Sequence, residues 1–214
     1  RIAIQIAKQV IIQKIKEEKK KIIIKNYKEK IEKIITGTIK KITKNNLILD
    51  FGNKIEGILK KNNILQREIH RTGDNIKVYL YNIVIYKKIP QLIVNRSSDE
   101  MLIELLKIEI PEINEGIIEI KAIARETGSR TKIAVKTNDG RVDAIGTCVG
   151  IKGTRIQSLS NELYGEKIDI ILWDPNPIYF VLNAISPAIV ESVIIDNDMK
   201  SMELAIKENM LAQA

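Results

Sequence analysis

The chain is poor in the residues on which covalent and metal chemistry depend: its 214 residues include one cysteine, one histidine and one tryptophan. A lone Cys148 cannot close an intramolecular disulfide, so a reducing compartment and a fold held by packing are expected. His70, the only histidine, is distant in sequence from Cys148, which leaves no thiol–imidazole pair; the cysteine is expected to be a small buried apolar residue. His70 itself lies between Glu68 and Gly73 and is expected to be a polar surface residue on a loop. Glu104, Glu109, Glu112 and Glu115 crowd together without metal-ligand spacing and read as a solvated face, so neither a metal nor a cofactor is expected. Long apolar runs are also missing: nothing approaches the roughly 20 residues that span a bilayer, and no signal peptide precedes a cleavage site. A soluble cytoplasmic monomer without membrane contact is expected. The chain opens on Arg1 and stops at Gln213 and Ala214 with no helix-ending glycine or proline, and so reads as cut from something longer.

What is abundant is positive charge, unevenly placed. Lysine and arginine exceed aspartate and glutamate by 11 to 4 in residues 1–34 and by 12 to 4 in residues 35–98, but trail by 10 to 13 in residues 99–173 and by 2 to 6 in residues 174–214. The basic field therefore lies in the N-terminal half and suggests a polyanionic partner. One island breaks the trend of the acidic half: residues 121–155 hold eight basic residues against three acidic.

The pattern of apolar residues changes character along the chain. Up to about Lys33 there is neither glycine nor proline, and Ile2, Ile6, Val10, Ile11 and Ile15 recur at helical spacing, which predicts one long amphipathic helix, with a possible break near residues 22–24. Its run Lys19 to Lys21 reads as a solvated face more readily than as a nucleic-acid contact. From Gly37 the pattern shortens into strands punctuated by asparagine and glycine at residues 37–42, 46–52, 55–59, 73–80 and 92–96. Five short strands in about 60 residues predict a small closed barrel, because so small a sheet must hide its edges. Ser98-Asp99-Glu100-Met101 is a helix-capping pattern. Behind it the order is helix, strand (117–125), strand (131–136), helix from Asp143, a glycine loop, helix to Tyr164 and strand (167–173). After Asp174-Pro175-Asn176-Pro177 the order restarts with a helix at 178–185, strands at 190–195 and 202–206, and a helix from Asn209.

The glycine loop carries the functional argument. Val149 is followed by Gly150-Ile151-Lys152-Gly153-Thr154-Arg155, two glycines three apart between two helices, with apolar Ile156 and Leu159 on the second. Without side chains, the glycines let a sugar-phosphate backbone approach main-chain N–H groups, and the following helix presents its positive end. Lys152 adds charge at the tip, and Arg155 one turn on is placed to reach a second phosphate. Bases would lie in an apolar groove beside the loop and be read on their edges. A phosphate loop of the nucleotide-hydrolysing type needs glycine, lysine and serine or threonine directly after a buried strand. Gly146, Gly150 and Gly153 instead follow a polar turn and a helix.

The loop in this order of elements resembles the core of a KH domain, and longer stretches extend the likeness. Residues 96–106 (Arg96 to Leu106), 109–113, 118–126, 128–136, 148–150, 161–163 and 165–171 resemble the bacterial transcription termination and antitermination family NusA, and the resemblance spans the chain. It implies a multidomain protein: a long N-terminal helix ending a polymerase-docking domain (residues 1–34), an all-β OB-fold barrel of the kind named after the largest small-subunit ribosomal protein (35–98), an α/β type II KH domain (99–175) and part of a second KH domain (176–214). It further implies a non-catalytic elongation factor that contacts the nascent transcript, the RNA polymerase core and other Nus factors, and that modulates pausing, termination and antitermination.

RNA contacts are assigned on this basis to Gly150, Ile151, Lys152, Gly153, Thr154 and Arg155, with Arg125, Arg130 and Lys132 of the basic island and Lys40 and Lys60 of the barrel. The barrel departs from the pattern of strong single-strand binders, which stack bases on exposed aromatics. Phe51 is as well explained by core packing, Lys60 takes a position often held by histidine, and the facing of Tyr79, Tyr81 and Tyr86 is open. Weakly specific, salt-sensitive binding through Lys40, Lys41, Lys60 and Lys61 is expected. Trp173 reads as a packing residue between modules rather than a stacking platform. Two alternatives stay open: an accessory part of an exoribonuclease, in which a KH domain would precede the barrel, and a KH scaffold that binds protein instead of RNA.

Overall fold

A computed structural model describes residues 2–52, 55–65, 68–86, 89–196 and 201–206. Two compact units, Arg1–Leu105 and Leu106–Ala214, are taken in turn. The first begins with helix α1 (Ile2–Lys28), which the absence of glycine and proline allows to run without the expected break near residues 22–24. It is not amphipathic as expected. At 100° per residue, Ile6, Val10, Ile11, Ile12 and Ile15 circle the helix instead of lining one stripe, and all five are exposed. Lys19 and Lys21 are solvated, Lys21 pairing with Glu18 at 2.7 Å. The end of the helix and the turn behind it are anchored by Tyr27 and Ile31 against the core of the barrel that follows.

That barrel comprises β1 (Ile34–Ile42), β2 (Asn46–Asp50), β3 (Glu56–Lys60), β4 (Asn75–Tyr86) and β5 (Ile89–Asn95), closed in the order β1-β2-β3-β5-β4. All pairs are antiparallel except β3 with β5, where Ile58 faces Ile93. Alternate residues turn inward, so Ile35 and Ile39, Leu47 and Leu49, Val78 and Leu80, and Leu92 and Val94 fill the interior. Phe51 continues this inward set: its ring lies against Gly37 and Gly57, so close that a Cβ on Gly37 would fall 2.7 Å from it. The tyrosines divide. Tyr79 is in the core, whereas Tyr81 (64% exposed) and Tyr86 lie outside, where β4 and β5 continue their pairing past a register shift at Leu80 and Asn82.

His70 is a correction. Its side chain is 9% exposed, and Nε2 stands 3.6 Å from the fully buried Glu68 carboxylate, which is itself paired with buried Arg96. Burial, and then the positive Arg96, hold the imidazole below its ordinary pKa while Asp74 pulls the other way. A short loop read in isolation does not reveal that Arg96, 28 residues beyond Glu68, closes over it.

Helix α2 (Asp99–Glu109) carries the boundary between the units. It is capped as expected, Ser98 Oγ accepting the N–H of Met101 at 3.4 Å. Pro111 does not merely end it but opens a further turn, α3 (Pro111–Asn114), a position where its missing N–H costs nothing. The second unit is built on β6 (Ile118–Glu126), β7 (Arg130–Thr137) and β8 (Lys167–Leu172), ordered β6-β7-β8, with β7 and β8 parallel. Between β7 and β8 run α4 (Ala144–Val149) and α5 (Thr154–Glu162). Ile133, Val135, Ala144, Cys148, Leu159, Leu163 and Ile168 are buried here. Helix α6 (Pro177–Ile185) and a hairpin of β9 (Val190–Asp196) and β10 (Ser201–Ile206) follow in the expected order. The helix expected from Asn209 lies outside the described residues.

Candidate nucleic-acid interface

The loop between α4 and α5 is shaped by its own backbone. Asp143 caps α4, its Oδ1 accepting the N–H of Ile145 at 3.1 Å. At the other end Gly150 takes φ 76° and ψ 177°, Lys152 φ 53° and Gly153 φ 78°. Gly150 has a second reason to lack a side chain: a Cβ there would stand 2.9 Å from Cγ of Arg155, which lies across it. A Cβ on Gly153 would meet nothing, so its left-handed backbone alone favours glycine. Lys152, a branchless side chain in the same region, holds a conformation that costs about 1–2 kcal/mol.

The turn leaves specific groups open. The N–H of Gly150 goes to the Gly146 carbonyl, that of Gly153 to Gly150, and that of Thr154 to Ile151. Those of Ile151 and Lys152 have no acceptor among the described residues. Both side chains stand out, Ile151 at 83% exposure, an apolar tip that none of the described residues covers. Two unclaimed N–H groups, an ammonium and the start of a helix make a concentrated anion-binding surface.

Beside it runs a groove of about 680 Å³. Ile145, Val149 and Ile156 form its helical wall, β8 its floor, and Asn183, Ala184 and Pro187 the opposite wall. β8 is the last strand of its sheet. The N–H groups of Lys167 and Trp173 bond to Ser129 and Val135 across to β7, so the intervening even-numbered residues turn their peptide groups outward. Asn183 Nδ2 donates to the outward Leu172 carbonyl at 3.1 Å; the peptide groups of Ile168 and Ile170 line the floor. A strand edge with alternating donors and acceptors is what a flat heterocycle with its own donors and acceptors can bond.

The basic residues assigned from sequence fall into different surroundings. Gly150, Ile151, Lys152, Gly153 and Thr154 come together at the loop. Arg155 is adjacent, but its Nη1 donates to Glu112 Oε2 at 2.9 Å and to the Thr147 carbonyl at 2.8 Å. It therefore braces the end of α4. Arg125 is a correction: its guanidinium is buried against Glu166, Nε to Oε1 at 2.8 Å and Nη2 to Oε2 at 3.0 Å, and it faces protein instead of solvent. Burial alone would raise the Glu166 pKa, yet bonds from Arg125, Thr131 Oγ1 and the Gly128 N–H bring it below the ordinary value. Arg130 lines the groove, paired with Asp169 at 2.6 Å. Lys132 lines it too and gives its ammonium to the Ala184 carbonyl in the last turn of α6, a favourable place for a cation. In the barrel, Lys40 is paired with Glu56 at 2.6 Å, while Lys41, Lys60 and Lys61 are exposed.

The reading of Cys148 is upheld nearby. Cys148 is fully buried, and burial, followed by Glu112, pushes its thiol up to about 11, so no thiolate is available at neutral pH. The half-buried Trp173 ring has the ammoniums of Lys136 and Lys121 at 5.3 and 5.6 Å from its centre, which engages its face in cation–π contact. Sequence reasoning missed Gln157, Asn183 and Pro187 of the groove, because nothing local marks a helix as the wall of a neighbouring module's cleft.

Comparison with known proteins adds an independent line. Residues 96–173 match the NusA-like first KH domain. Over 214 residues the chain is 40% identical to the transcription termination/antitermination protein NusA of Bacillus subtilis, covering all of this chain and 57% of that protein. It is 37% identical over 211 residues to that of Rickettsia conorii, covering 97% of this chain and 42% of the relative. The chain thus spans about half the length of these relatives.

Proposed function

We propose that the chain belongs to the NusA family of transcription termination/antitermination proteins and is the RNA-reading part of a transcription elongation factor, gripping nascent single-stranded RNA at residues 150–154. Both relatives are named transcription termination/antitermination proteins, and in this reading the chain acts by binding and carries out no catalysis. The observation that carries the reading is the pair of unclaimed N–H groups at Ile151 and Lys152, set beside a groove floored by an open strand edge. Phosphates would take the loop and bases the groove, so affinity is dominated by the first and selectivity by the second.

In this reading residues 1–34 end a polymerase-docking domain, residues 35–98 are an OB-fold barrel, residues 99–175 a type II KH domain and residues 176–214 the start of a second. The parallel β3–β5 closure of the five-stranded barrel supports the OB-fold assignment. RNA polymerase and other Nus factors are the protein partners, the cytoplasm is the site of action, and pausing, termination and antitermination are the processes served. No metal or cofactor is needed for such a role.

The test replaces Ile151 and Lys152 together by aspartate. Both side chains are exposed, so circular dichroism should be unchanged. Affinity for single-stranded RNA should fall at least about tenfold, and the slope of log affinity against log salt should drop by roughly 0.7 for each phosphate no longer engaged. Unchanged affinity in the folded variant would sink the reading and favour a protein-binding scaffold.

A further inference from the structure

Building on the RNA reading above, we infer that Asn183 selects, from outside the segment matched as a KH domain, a base carrying an amino group where uracil and guanine carry a keto oxygen, that is adenine or cytosine. Asn183 lies on α6, past residue 173 where that match ends, yet it lines the same groove as Gly153, Gln157 and Ile170. The polarity of its amide is fixed. Nδ2 donates to the Leu172 carbonyl at 3.1 Å, and turning the amide over would set two oxygens against each other. Oδ1 is therefore left as an acceptor on the groove wall, with no donor among the described residues.

The wall itself is held. Lys132 reaches across from β7 to bond the Ala184 carbonyl, which ties the last turn of α6 to the sheet beneath the groove. The outward N–H and C=O of Ile170 offer one donor and one acceptor to any base, whereas Oδ1 of Asn183 adds acceptance alone. A base with an amino group there gains a hydrogen bond; one with a keto oxygen meets a second acceptor. The other amide on the groove, Gln157, has its Nε2 engaged by Asn161 at 2.9 Å, and it stands on the opposite, helical wall.

The experiment uses the 214-residue chain and single-stranded RNAs that differ at one position at a time. The wild type should prefer adenine or cytosine over uracil at one position by about five- to tenfold. Asn183→Ala should flatten that position alone and leave the salt slope unchanged. The RNA supplies a second arm that leaves the protein intact: replacing the preferred adenine by purine without its amino group should cost the wild type the same factor and Asn183→Ala nothing more. Retained preference in Asn183→Ala, additive losses, or a wild type indifferent to base would each overturn the inference. Undiminished binding by the double variant Ile151→Asp with Lys152→Asp would instead overturn the RNA reading beneath it.

Discussion

The barrel and the glycine-loop unit invert what their charges suggest. Residues 35–98 carry a surplus of eight positive charges and residues 99–173 a deficit of three, yet the proposed site is in the second. In the barrel, Lys40 is neutralised by Glu56, and Phe51, the only phenylalanine of the β-strand region, closes the core. Around the loop, a few groups are left open by geometry: two backbone N–H groups, one ammonium and a strand edge. Net charge sets a long-range field, whereas a site requires groups whose partners inside the chain have been withheld.

The largest effect that would sharpen this contrast is on stability. Arg125→Ala leaves Glu166 buried without its counter-ion and should destabilise the second unit by about 3–5 kcal/mol. Lys40→Ala, which removes an exposed pair, should produce no measurable change. Urea titration followed by fluorescence of Trp173, the sole tryptophan and a resident of the second unit, reads the first; equal sensitivity of the two variants would erase the distinction. Next comes affinity. Against the fall of at least about tenfold for the aspartate pair at 151 and 152, Lys60→Ala with Lys61→Ala should weaken RNA binding by only about two- to threefold and equally for all sequences. A larger effect from the lysine pair would move the main site to the barrel.

Acid separates the units more gently. His70 is held below its ordinary 6.5, so the unfolded chain takes up its proton first. Its stabilising contribution is complete above that value and falls away as pH drops through it. Glu166 is held below its ordinary 4.5; its contribution is complete above 4.5 and is lost as pH falls toward its folded value. The barrel should therefore begin to weaken at higher pH than the second unit, as amide resonances followed from pH 7 to pH 3 would record. His70→Gln should remove the upper limb and Glu166→Gln the lower. The smallest effect is chemical: Cys148, with its thiol raised to about 11, should resist iodoacetamide at pH 7.5 until the second unit unfolds. Prompt alkylation in the native protein would contradict its burial.

Local pattern made much of this architecture legible. Short runs punctuated by asparagine and glycine marked all five barrel strands, and Ser98 marked the start of α2. The two glycines three apart, between helical patterns, marked the loop. What stayed hidden depends on residues far apart in sequence. Glu68 meets Arg96 across 28 positions and Arg125 meets Glu166 across 41, and no periodic signal predicts either. Arg125 and Arg155 therefore read from sequence as RNA contacts when their guanidiniums are engaged by protein. The far wall of the groove was invisible for the same reason, since α6 reads as an ordinary helix until the fold lays it beside β8. The even spread of isoleucine around α1 passes for a stripe because five positions fit helical spacing while their neighbours go uncounted.

Arg155 lies over Gly150 and ties Glu112 to the Thr147 carbonyl, and this has a bearing on kinetics. A bend clamped from behind is already in its ligand-ready shape, so most of the ordering entropy is lost when the chain folds and little remains to be lost at encounter. Capture of RNA would then be limited by collision instead of rearrangement, as the proposed role at an emerging transcript would require.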